Sequence, residues 1–101
     1  MPTEEVFPKS AKEMLPAAQL FMYEQFAIEI LNIEEKLEYW QIICHSTGEA
    51  EKIQRYYEEI ALLEARLRKM YEVAEWLGLD RKILDEIQQE EMLEQIERQA
   101  L

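Results

Sequence analysis

From Glu49 to Leu77 the apolar positions Ile53, Tyr56, Ile60, Leu63, Leu67, Met70, Ala74 and Leu77 recur in alternating steps of three and four without a miss. Spacing of this kind over four heptads lays a single apolar stripe along one helix face, and such a stripe has to be buried lengthwise against another helix. A matching partner precedes it. Phe26, Ile30, Ile33, Leu37, Trp40 and Cys44 follow steps of four and three inside the stretch from Pro16 to His45, which contains no helix breaker. At 1.5 Å per residue that stretch makes a rod of roughly 45 Å. Between the two stands His45-Ser46-Thr47-Gly48, with Ser46 and Glu49 in capping-box spacing for the next helix. The pattern predicts an antiparallel helical hairpin.

Punctuation elsewhere agrees with an all-α chain. Gly48 and Gly78 are the two glycines and Pro2, Pro8 and Pro16 the three prolines of 101 residues, too few turn residues for most β architectures. Gly78 after Leu77 suits a left-handed helix end, and Asp80 suits the N-cap of a third helix. That helix begins with Ile83, Leu84 and Ile87, passes through the polar run Gln88-Gln89-Glu90-Glu91, and resumes with Met92, Leu93 and Ile96. At the other end, Pro2 and Pro8 make residues 1–9 an extended arm. Ser10 and Glu13 match a capping box but conflict with Pro16, so either one turn precedes a kink or the main helix begins at Pro16. The expected elements are helices over about 16–45, 49–77 and 80–98, in one domain spanning 10–101.

The first helix is apolar on a second side. Phe21, Ile28 and Ile42 lie well round from the first stripe, widened by Leu20, Ala27, Leu31 and Ile43. A two-sided helix needs two partners, and the third helix is too short and too polar to cover the second side alone. The expected fold is therefore a long antiparallel hairpin plus a shorter third helix, completed into a bundle by self-association.

Charge narrows the function classes. Twenty-two acidic against eleven basic residues give a net charge of −11, which opposes binding to a phosphate backbone or an anionic membrane surface. The acid is spread along the chain, as on a solvated surface. Cys44 is the sole cysteine and has no disulfide partner within the chain, which fits a reducing, cytoplasmic setting. The first twenty residues lack the basic start and apolar run of a secretory signal, and no run approaches the roughly 20 apolar residues of a membrane span.

Chemistry-bearing motifs are weak. Glu35/Glu38 and Glu72/Glu75 have the spacing of magnesium-binding carboxylates, but with 20 glutamates in the chain chance alone supplies roughly four such pairs, the number present. His45 has Ile42, not Glu, three residues before it, so the Glu-x-x-His of helical diiron sites is missing; it reads as a C-terminal helix cap. Cys44 reads as core. No Ser/His/acid set, Gly-rich phosphate loop or basic cluster occurs, so no catalytic, cofactor-binding or metal-binding residue is assigned.

The most specific local pattern is Val73-Ala74-x-x-Leu77-Gly78-Leu79 followed by Leu84 and Ile87, the spacing of a helix-turn-helix. Arg81 and Lys82 would then open a DNA-reading helix, yet Asp80 to Glu91 carries five acids against those two bases. The same spacing serves a plain corner between packed helices. Tyr57, Tyr71 and Trp76 flank the apolar seam of the second helix, and aromatic side chains are favoured at interfaces. The expectation is a non-catalytic, acidic, homo-oligomeric interaction module, an adaptor, subunit or inhibitor that binds itself and another protein. Phe21, Ile28, Ile42, Tyr57, Tyr71 and Trp76 are its interface candidates, and a DNA-binding regulator working through residues 70–90 is the alternative. The acidic surface also permits imitation of nucleic acid.

Overall fold

Pro16 decides where the long helix starts. Its ring removes a backbone N–H and restricts the residue before it. In the computed structural model, which describes residues 11–100, Ala11–Met14 forms a single turn (α1) and stops short of the proline. Helix α2, Ala17–Ser46, begins just after it, with Pro16 extended at φ −58° and ψ 147° and its carbonyl accepting from the Leu20 N–H at 2.9 Å. One turn and then a break is thus the outcome at this junction. The arm over 1–9 and Ser10 of the first capping box lie outside the described residues.

At the hairpin turn the hydroxyls do something other than start a helix. Ser46 Oγ donates to the Ile42 carbonyl at 2.8 Å and Thr47 Oγ1 to the Ile43 carbonyl at 2.9 Å. The last carbonyls of a helix lack backbone donors, and a hydroxyl four residues on is placed to fill that need. The capping box expected from Ser46 and Glu49 therefore does not form. Glu49 itself occupies the cap position of α3 (Ala50–Trp76), extended and without a side-chain cap bond.

The second corner follows its sequence closely. Leu79 N–H donates to the Ala74 carbonyl and Gly78 N–H to the Glu75 carbonyl, both at 2.9 Å, the paired bonds of a Schellman end. Gly78 sits at φ +83°, where a side chain is disfavoured. Asp80 Oδ1 then accepts from the Ile83 N–H at 3.1 Å and caps α4. Helix α4 runs Arg81–Ala100, unbroken through Gln88–Glu91, since Gln and Glu are good helix formers.

Helix α2 is the shared partner: α3 packs on it antiparallel, and α4 packs along it as well. One core cluster joins Tyr23, Ala27 and Ile30 of α2 to Ala74 of α3 and to Leu84 and Ile87 of α4; the other joins Ile33 and Leu37 to Leu63. Ile30, Leu84 and Ile87 are fully buried, and cutting such a side chain to Ala costs about 2–5 kcal/mol. Trp40 continues the two-helix seam against Tyr56, with ring centroids 5.3 Å apart. Two details depart from the pattern. Leu77, the last position of the α3 stripe, is 43% exposed because it is the cap residue, where the backbone leaves the helix. Ala27, grouped with the second side of α2, has no exposure at all, because it lies in the core cluster that α2 shares with Ala74 of α3 and Leu84 and Ile87 of α4. The resulting shape is flat, 68 × 36 × 17 Å.

Candidate protein-interaction surface

Apolar residues are spread nearly evenly around α2, the pattern of a helix meant to be covered on all sides. Within this chain α3 and α4 cover only adjoining strips of it. Phe21 is left 63% exposed and Ile42 58% exposed, while Ile28 is half-buried. Phe21, Ile28, Glu35 and Ile42 recur every seven residues, so they form one stripe on the outer side of α2. Tyr39, beside this stripe, is also exposed and braces Trp40 edge-on at 5.5 Å.

The outer side of α3 carries a second set. Leu62 is 62% exposed and Trp76 is 84% exposed; each is separated from Lys69, itself exposed, by seven residues. Leu62 is absent from the candidates read from the sequence, although this spacing was there to find it. At the hairpin tip Ile42 and Tyr57 come together, lining one open groove of about 440 Å³ with Cys44, His45 and Ile60. A larger groove of about 520 Å³ separates α2 from the second half of α4, with Leu31, Met92 and Ile96 as apolar lining and Glu34, Glu35 and Glu38 along its α2 edge.

Tyr71 is placed differently from the other interface candidates. It is half-buried, with the Arg81 guanidinium 3.7 Å above its ring, a cation–π contact inside the molecule. Burial pushes its hydroxyl above the usual tyrosine range, and the neighbouring Glu34 charge adds to this while Arg81 opposes it. Arg81 Nε also donates to Asp85 Oδ1 at 3.1 Å. Both bases considered for DNA reading are exposed, but Arg81 is engaged by Tyr71 and Asp85 of its own chain.

Polar groups tie α4 down. Gln88 Nε2 donates to Glu34 at 2.8 Å, and burial pushes the Glu34 carboxyl above its ordinary value, the Gln88 hydrogen bond working the other way. Lys12 Nζ of α1 reaches Glu91 and Glu94 of α4, each at 3.1 Å, and Glu24 of α2 at 3.4 Å. Glu91 is 8% exposed and is the buried charged residue of this region. No periodicity signals this cluster, because Lys12 and Glu91 are 79 positions apart.

Cys44 is buried with a free thiol, and His45 is exposed in the last turn of α2. Among the described residues, no three His, Cys, Asp or Glu side chains converge as a metal ion would require. Among them, too, no helix is long and apolar enough to cross a membrane. No protein-family model matches this chain, and no curated protein or solved structure does either.

Proposed function

We propose that this protein is a non-catalytic assembly module that acts by binding protein, first of all another copy of itself, through the outer side of α2. The observation that carries the reading is the apolar circumference of α2 together with the exposure of Phe21 and Ile42, 63% and 58%, on its uncovered side. Large apolar side chains in a common stripe mark contact surfaces, and aromatic residues such as Phe21, Tyr57 and Trp76 give the most binding energy per side chain. The flat arrangement, in which α3 and α4 both lean on α2, supports the same reading, because a further helix laid on α2 would close the bundle. The net charge of −11 favours a protein partner over a nucleic acid.

Absolute mass by light scattering on a sizing column, at several concentrations, tests this. The native chain is expected at a multiple of 12.2 kDa. Phe21→Asp and Ile42→Asp alter exposed positions, so both variants are expected to keep their helix content by circular dichroism and to elute as monomers. A native chain that stays at 12.2 kDa at every concentration would sink the proposal.

A further inference from the structure

Two outer stripes of the molecule have matching repeats and opposite charge. On α2, Ile28, Glu35 and Ile42 stand seven residues apart; on α3, Leu62, Lys69 and Trp76 do the same. Seven residues are about 10.5 Å of helix, and over two such steps a straight helix drifts little from the stripe. Each stripe is apolar at its ends and charged in the middle, negative on α2 and positive on α3. Glu35, Ile42, Leu62, Lys69 and Trp76 are all exposed. Glu35 also lines the groove between α2 and α4, whose Leu31 and Ile96 extend the apolar area beside it.

We infer that the outer stripe of α3 from a second copy lies along the outer stripe of α2, with Lys69 of one copy opposite Glu35 of the other. The inference rests on the self-association proposed above and names its geometry. Either helix direction satisfies the match, since the charge is central in both stripes. Leu62 and Trp76 of one copy then cover Ile28 and Ile42 of the other, and the groove beside Glu35 receives the flank of the incoming helix. The two stripes sit on opposite outer sides of the hairpin, because α2 and α3 pack together through their other faces. One contact therefore leaves a free stripe on each copy, and association is head-to-tail, growing into a ring or an open array.

Head-to-tail contact has a signature that a symmetric dimer lacks. Ile42→Asp blocks the α2 stripe and Leu62→Asp blocks the α3 stripe, both at exposed positions. Each variant alone is expected to be a monomer. Mixed in equal amounts, they retain one working stripe of each kind and are expected to form a one-to-one pair that grows no further, read as twice the 12.2 kDa chain mass by light scattering. Glu35→Lys and Lys69→Glu should each weaken association severalfold, and the chain carrying both changes should recover it. A mixture that stays monomeric overturns the inference. So does a Leu62→Asp chain that assembles like the native one, and in that case the loss of assembly in Ile42→Asp would still uphold the α2 surface itself. A monomeric native chain removes both readings, and would leave a basic helix of another protein as the occupant to seek.

Discussion

Lys12 is the residue whose surroundings are hardest to replace. Burial alone would lower its pKa, but hydrogen bonds to Glu94 and Glu91 and the charge of Glu91 outweigh that and hold it raised. Its removal strands Glu91, which is only 8% exposed. Lys12→Met is therefore expected to cost about 1–3 kcal/mol in urea unfolding, and adding Glu91→Gln should recover much of the loss, because the stranded charge goes with it. Glu34 presents the opposite case. Its carboxyl is raised by burial, so the folded chain binds that proton more tightly than the unfolded chain does. Its contribution favours folding below the ordinary value of 4.5 and fades as the pH climbs through the higher folded value. Glu34→Gln keeps an acceptor for Gln88 and removes the desolvated charge. The variant should gain on the native chain in unfolding midpoint as the pH rises from 4.5 toward neutrality; a constant difference across that range would show that the source lies elsewhere.

At the scale of elements, the joint between α3 and α4 concentrates several small contributions. A methyl added at Gly78 meets nothing within 4 Å, so the cost of Gly78→Ala is conformational, about 1 kcal/mol at its positive φ. Asp80→Ala removes the α4 cap and should cost about 1 kcal/mol. The Asp80 N–H in turn donates to Tyr23 Oη at 2.7 Å, which links the joint to the start of α2. Tyr23→Phe leaves that N–H without its acceptor, at about 1 kcal/mol, or a melting temperature lower by about 4–8 °C in a domain of this size. Asp80→Ala keeps the backbone N–H that donates to Tyr23, so the two substitutions remove different hydrogen bonds, and a thermal double-mutant cycle should find their costs additive to within about 0.5 kcal/mol.

For the whole molecule, charge and apolar surface pull against each other. Two copies at −11 each repel, and the repulsion reaches about 30 Å at 10 mM salt but only about 8 Å at 150 mM. Self-association is expected to strengthen over that interval, as the broad repulsion is screened while the apolar contact is not, even though the single Glu35–Lys69 pair weakens. Sedimentation at the two salt concentrations reads this directly, and association that falls with salt would instead assign the contact mainly to ion pairs. Binding to duplex DNA runs the other way: it would be strongest at low salt, where none is expected.

The hairpin and both of its stripes were legible in the residues alone, as were Gly78 and Asp80 at the second corner. Periodicity and capping are written within a few positions of each other, and helix geometry converts them to structure without reference to the rest of the chain. Ser46 shows the limit even there, since two nearby backbone groups compete for one hydroxyl and spacing does not choose between them. Beyond that range the sequence is silent. Ala27 and Phe21 are both apolar residues of α2, yet one has no exposure and the other is 63% exposed, and what separates them is the core cluster that α3 and α4 build around the first. Tyr71 and Trp76 are both aromatic residues near the end of α3, and the first becomes an internal contact because it packs against the core beside Ala74 and Leu84 and takes Arg81 over its ring. Local spacing sets which helices form and which of their faces are apolar; long-range packing sets which of those faces stay uncovered, because that depends on where a distant helix comes to lie and not on the residues of the face itself.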